Sequence, residues 1–226
     1  LHIGPYTGRD VRLPTVSRGF LINPMNQAMA SIPVLTSIAA YLKDPATYDP
    51  LSAWESALEA FAPHCAQSLK LFAEMNLISP LNPKGEEMVS DRWIDAYSSS
   101  ARSGSIAQAA SLLQQHALTL NEAVQTLKTT MPLAWLREVR PWLVEFESWG
   151  ALLLKAAELA GMFPLFFQET LDRETLDKSA NALADLKTRV SKTVDHQTVC
   201  AGSGIREFAM TMIAKIGALL RLRSWE

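Results

Sequence analysis

The run GFLINPMN at residues 19–26 is the stretch of this chain whose residue types and spacing best suit a ligand contact. A carboxamide both donates and accepts hydrogen bonds, which matches a sugar hydroxyl. At the end of a strand in a β/α fold, Asn23 would stand on the rim where such folds bind ligands, and Pro24 would fix the turn that aims it. Asn before Pro is also a plain turn former, so a structural reading stands beside the functional one. Other chemistries find less support. His2, His64, His116 and His196 are scattered, without H-x-H or H-E-x-x-H spacing, and Cys65 and Cys200 lie 135 positions apart with no C-x-x-C. No metal site is expected, and both thiols read as free and buried. GSGIRE, from Gly202, lacks the Walker lysine and the dinucleotide glycine pattern, so no cofactor is expected. Ser31, Ser203 and the serines at 98–100 lack G-x-S-x-G context. A glycosidase needs two carboxylates in opposite roles. No Asp-Asp pair exists, and Glu86-Glu87, the one adjacent acidic pair, reads as compensation of a helix N-terminus after Pro83 and Gly85. No catalytic residue is expected in this chain.

The elements that would position Asn23 come early. Residues 1–3 and 19–22 are short β-like runs separated by the loop GPYTGRDVRLP, and an apolar helix-like run follows at 26–42. Strand, loop, strand, helix suits a parallel sheet buried on both faces, but two strands cannot build one alone. Leu1 is not Met and no leader-like segment follows, so the chain is expected to be part of a longer polypeptide.

From residue 44 the pattern is helical. Leu51, Trp54, Leu58 and Phe61 share one stripe, and Pro63 ends it before a second helix carrying Cys65, Leu69 and Phe72. LISPLNPKG reads as a loop. Helices are expected at 86–99 and at 105–129, the latter with a break near Thr119. Between residues 133 and 162, Leu136, Val139, Leu143, Phe146, Gly150, Leu153, Ala157 and Ala160 recur at steps of three and four, a heptad-like stripe that starts or kinks at Pro141. Asp172 or Thr175 can cap a helix with the stripe Leu176, Ala180, Leu183, Val190 and Val194, closed by CAGSG. Ile205, Phe208, Met212, Ile216 and Leu219 mark the last helix. The tryptophans Trp54, Trp93, Trp135, Trp142 and Trp149 read as packing, with a carbohydrate-stacking platform as the sharper alternative.

Composition bounds the rest. The chain has 226 residues and 24.9 kDa, with 21 Lys plus Arg against 23 Asp plus Glu, a formal charge of −2 and a pI near 6.1. It carries no global basic field for nucleic acid. The longest uncharged stretch, 19–42, is broken by Asn and Pro, so no membrane span is expected.

The residues LHIGPYTGRD, followed by GFLINPMNQAMASIPVLTSIAAYLKDPATYDPLSAWESAL, resemble the end of the catalytic barrel of the bacterial O-GlcNAcase-like β-N-acetylglucosaminidases, glycoside hydrolase family 84, once named hyaluronidases. The resemblance is concentrated in about the first 58 residues and continues only as helical character. It implies a mainly α chain: residues 1–42 as the last strands and helix of a (β/α)8 barrel, and residues 43–226 as an all-α helical bundle domain. It implies a retaining hydrolase that removes terminal β-linked N-acetylglucosamine with the substrate's own acetamide as nucleophile, helped by an adjacent Asp pair. That pair, and a Trp-Asp-Asn loop, would belong to an N-terminal barrel portion lying before Leu1, so this chain alone is expected to be inactive. Carried over by position, Asn23 matches a sugar-hydroxyl contact, and Met25 and Asn26 are second-choice pocket neighbours. The expected partners are that barrel portion and a terminal β-N-acetylglucosamine on a glycoprotein or glycan. The competing expectation is a helical interaction module that dimerises through the 136–160 stripe, without catalysis. The compartment is left open, because any targeting signal would precede Leu1.

Overall fold

Helices dominate because apolar side chains recur every three to four residues from residue 28 to residue 220. The computed structural model describes residues 1–77, 89–196, 198, 200 and 202–223. Among them the order is α1 (Leu13–Val16), α2 (Ala28–Lys43), α3 (Pro50–Phe61), α4 (Ala66–Glu74), α5 (Val89–Arg102), α6 (Ile106–Thr130), α7 (Leu133–Met162), a 3-10 turn (Phe163–Phe167), α8 (Arg173–Lys192), a shorter 3-10 turn (Thr193–Asp195) and α9 (Gly204–Arg223). Glu86-Glu87, all but Leu77 of the LISPLNPKG loop, Ala201 of CAGSG and the final SWE lie outside the described residues.

The antiparallel pair α6 and α7 forms the spine. The apolar face of α6 is built from Ala109, Ala110, Leu113, Ala117, Leu120, Ala123, Val124 and Leu127, all buried. It meets the heptad-like stripe of α7, of which every member except half-buried Leu136 is buried. Small residues bring the two backbones together: a Cβ built on Gly150 would stand 2.6 Å from Asn121 Oδ1 and 3.2 Å from Leu120 Cβ. Around this seam, α4 packs on α6, while α8 and α9 pack on α7 and on each other. Phe72 joins α4 to α7 through edge-to-face contacts with Trp135 at 5.6 Å and Phe146 at 5.4 Å. The stripe is therefore interior to the chain, and a homodimer would need another face. α7 is long and apolar enough to cross a membrane by length and composition, yet its heptad-like stripe packs inside the chain, with α6, α8 and α9 against the helix.

Caps and side-chain bonds explain the helix limits. Asp49 accepts from Ser52 N–H at 2.7 Å and Pro50 follows as the first residue of α3, a start signal legible in Tyr-Asp-Pro. Asp172 accepts from Thr175 N–H at 2.7 Å, so Asp172 rather than Thr175 caps α8.

Five expectations change. Residues 1–3 and 19–22 are irregular rather than strands, and no strand or barrel occurs among the described residues; an extended run becomes a strand only when another pairs with it. α6 does not break at Thr119, whose hydroxyl donates to Gln115 O at 3.0 Å within an unbroken helix. α7 begins eight residues before Pro141 and contains it. The stripe of α8 runs through Ser179, Leu183 and Leu186; Ala180 and Val194 face solvent. Ser179 can be buried because its hydroxyl donates to Thr175 O at 2.8 Å. Leu51, expected in the α3 stripe, is also exposed, and Ala57 takes the inner position.

Candidate functional site

The loop between residues 1 and 12, the run 17–27 and the inner face of α2 enclose a cleft of about 330 Å³ whose lining includes Tyr6, Arg9, Phe20, Asn23, Met25 and Ile38. Each wall is tied down. Gly8 takes φ +72°, a left-handed conformation that favours glycine, and so turns GPYTGR back on itself. Tyr48 donates to Tyr6 O at 2.9 Å, which leaves Ser37 Oγ, 2.9 Å away, to donate to the Tyr48 hydroxyl. Tyr41 donates to Asp10 O at 2.7 Å. The Tyr6, Tyr41 and Tyr48 rings meet edge to face at 5.5 and 5.4 Å, and burial pushes the Tyr41 and Tyr48 phenols above their ordinary values. The Arg9 guanidinium lies 5.3 Å from the Tyr6 ring centroid. Asp10 is bridged to Arg12 at 2.8 Å, which holds its carboxyl below its usual range.

The Asn-Pro loop is anchored from both sides. His2 N–H donates to Met25 Sδ at 3.1 Å, and Ser31 Oγ donates to Gln27 O at 2.9 Å. Gln27, at the N-cap of α2, makes no side-chain cap bond. Glu138 of α7 takes that role across 109 residues: its Oε2 accepts from Met29 N–H at 2.8 Å and from Ala30 N–H at 3.4 Å. A carboxylate at a helix N-terminus satisfies orphan donors and opposes the dipole. The start of α2, four residues past Pro24, is thereby fixed to the helical spine. Trp54 Nε1–H donates to Ile3 O at 2.6 Å, and Ile3 is fully buried in the same core as α6 and α7.

Asn23 is exposed on the cleft wall, and its carboxamide has no hydrogen-bond partner among the described residues. Met25 is half-buried and also lines the cleft; Asn26 is exposed and lies outside the lining. Among the described residues, no Asp or Glu lines the cleft. Leu21 is fully exposed beside Asn23, and Val11 and Val16 are exposed nearby in the chain. Glu138 was not foreseen; only the weak cap at Gln27 hints that α2 needs an acceptor from elsewhere.

The remaining candidates have structural surroundings. No cluster of three or more His, Cys, Asp or Glu side chains could hold a metal among the described residues. Cys65 and Cys200 are free and buried, with burial pushing both thiols up. His116 stacks on Trp93 with centroids 4.4 Å apart, and burial lowers its pKa. Buried Glu145 accepts from Thr198 N–H at 2.7 Å and stands 3.9 Å from His196 Nδ1, pinning the α8–α9 connection to α7. Trp54, Trp135 and Trp149 are core residues and Trp93 and Trp142 are half-buried, so the described tryptophans form no open stacking platform.

With this geometry in place, the comparisons with known proteins are specific. The sequence model for β-N-acetylglucosaminidase matches residues 1–74, which hold every wall of the cleft. This region is β-N-acetylglucosaminidase-like. An O-GlcNAc hydrolase of Thermobaculum terrenum superposes on 100% of the chain with a TM-score of 0.86 at 27% identity, the chain covering 47% of that protein. CpGH84B matches 94% of the chain, at TM-score 0.76 and 19% identity, over 36% of its own length. CpGH84D matches 96%, at 0.76 and 17% identity, over 38%. The latter two establish likeness of fold. The chain spans about half or less of the length of these relatives, and the helical part of the chain is included in the match.

Proposed function

We propose that this chain supplies the sugar-contacting Asn-Pro loop and the supporting helical domain of a retaining β-N-acetylglucosaminidase. The observation that carries the reading is the coincidence of the residue 1–74 match with the cleft that Asn23 lines. In this reading residues 1–42 close a (β/α)8 barrel, and exposed Leu21, Val11 and Val16 rest against the rest of it. Residues 43–226 form the helical domain. Asn23 donates to and accepts from hydroxyls of a terminal β-linked N-acetylglucosamine, with Met25 beside it.

The acetamido oxygen of the substrate attacks the anomeric carbon as the glycosidic bond breaks. One carboxyl orients the acetamide; a second protonates the leaving oxygen and later takes a proton from water. Both carboxyls come from protein beyond these 226 residues, since no acid lines the cleft among the described residues. The role of this chain in catalysis is positional: Glu138 holds the start of α2, and α2 holds the loop that presents Asn23.

Hydrolysis of a chromogenic N-acetylglucosaminide tests the reading, comparing the chain alone with a longer polypeptide from the same coding region. Activity only in the longer form is expected. Turnover by the 226 residues alone would overturn the assignment of the acids, and inactivity of both would overturn the reaction.

A further inference from the structure

A second concavity, a groove of about 640 Å³, lies between α5 and α9, away from Asn23. Two contacts set the register of these helices. Asp91 Oδ1 occupies the space where a Cβ on Gly204 would sit, and the Tyr97 and Phe208 rings meet edge to face at 5.2 Å. The order is the same on both helices, so they run parallel with an offset of 111 to 113 residues. In that common direction Asp95, Ser98 and Arg102 follow one another along α5 and Glu207, Thr211 and Lys215 along α9, and all six line the groove. The walls therefore grade from acidic through hydroxyl to basic along their length. Tyr97, Phe208 and Met212, buried, form the apolar floor.

Helix dipoles account for only part of this pattern. Glu207 is in the first turn of α9 and Arg102 in the last turn of α5, but the dipole effect fades within a turn. Asp95 and Lys215 stand outside those turns. Among the described residues, none of Asp95, Glu207, Arg102 and Lys215 is in an ion pair. Lys215 Nζ instead lies 6.0 Å from the Phe163 ring centroid, at the basic end.

We propose that this groove receives an amphipathic helix of a partner protein, docked antiparallel to α5 and α9. An ordinary helix carries acidic residues in its first turn and basic residues in its last. Laid antiparallel, it sets its basic end against Asp95 and Glu207 and its acidic end against Arg102 and Lys215. Its dipole then opposes those of both walls. Apolar side chains at i, i+3 or i+4, and i+7 meet the floor, where Met212 adapts to their shape. The stretch from Asp95 to Arg102 is about 10 Å long at 1.5 Å per residue, so about two turns of a docked helix span it and a further turn reaches beyond its charged ends. This inference stands independently of the glycosidase reading.

Fluorescence anisotropy on the 226-residue chain tests it with two side-chain-stapled helical peptides of about 15 residues, a length at which unstapled helices are marginal. Both carry the same apolar stripe and composition; one is acidic first and basic last, the other reversed. The first is expected to bind about 10-fold tighter at low salt, with the gap closing as salt rises. The fourfold swap Asp95→Lys, Glu207→Lys, Arg102→Glu and Lys215→Glu is expected to invert the preference, and Thr211→Trp to block both peptides. The swapped side chains are exposed, and circular dichroism checks that the fold persists. Equal affinities for the two peptides, absence of saturable binding, or a preference that survives the swap would each overturn the proposal. A proline-containing extended peptide of the same charge order that bound as well would overturn the helical occupant.

Discussion

Replacing Glu138 should loosen the Asn-Pro loop from a distance. The carboxylate bridges α7 to two amides at the start of α2, at 2.8 and 3.4 Å, where Gln27 supplies no cap. A hydrogen bond to a charged acceptor contributes about 1.5–3 kcal/mol, and the 3.4 Å contact adds little. The favourable placement at a helix N-terminus adds about 0.3–1 kcal/mol. Glu138→Ala removes both and strands the Met29 amide, for an expected loss of about 2–3 kcal/mol. Glu138→Gln keeps a carbonyl acceptor and loses only the charge, so about 1 kcal/mol is expected. Urea unfolding measures the global loss. Hydrogen exchange at Met29 and Ala30 reads the local one, where about 2 kcal/mol corresponds to roughly 30-fold faster exchange. If Glu138→Ala changes stability by less than about 0.5 kcal/mol and leaves both amides protected, the anchoring argument is wrong.

Other outcomes follow from the same geometry. In a longer polypeptide that hydrolyses N-acetylglucosaminides as proposed, Asn23→Ala should lower kcat/KM by about 10-fold or more, the scale of one or two lost hydrogen bonds, while thermal stability stays within about 0.5 kcal/mol because the side chain is exposed. Leu143→Asp or Phe146→Asp should unfold the chain without changing the mass of what remains folded in sedimentation, since both side chains are interior; a clean shift from dimer to folded monomer would refute this. Gly150→Ala should cost about 1 kcal/mol by denaturant titration, because overpacking against Leu120 and Asn121 outweighs the gain in helix propensity. Backbone hydrogen bonds from Ser52 and Thr175 depress the capping carboxyls of Asp49 and Asp172 below 3.8. Their stabilisation is therefore fully present above that value and lost as pH falls through the lower folded values. The double variant Asp49→Asn, Asp172→Asn should flatten the acid side of the stability profile as pH falls below 3.8, and an unchanged slope would contradict the cap assignment.

What was legible in the sequence is what repeats locally. The stripe from Leu136 to Ala160 is a period of three and four, and it became the buried face of α7 because nothing within reach competes with helical spacing there. Asp172 was legible as a cap because its partner, Thr175, is three residues away. Errors arose where a side chain satisfied its own polar group. Thr119 bonds Gln115 O and passes for a break, and Ser179, absent from the expected α8 stripe, bonds Thr175 O and is buried. The runs 1–3 and 19–22 have strand composition, but pairing is a property of two segments, and no partner segment lies among the described residues. The cleft was half legible. Asn23-Pro24 stood out by chemistry, whereas Glu138 is separated by 109 residues from the helix it caps, and nothing in a single sequence links the two.

The most direct test of the central claim is a structure of the longer, active protein with N-acetylglucosamine bound. The account predicts the Asn23 carboxamide about 2.7–3.2 Å from ring hydroxyls of the sugar, with both carboxyls at the acetamide and the glycosidic oxygen contributed from outside these 226 residues. A sugar seated elsewhere, with Asn23 facing solvent or with an acid of this chain at the acetamide, would contradict it.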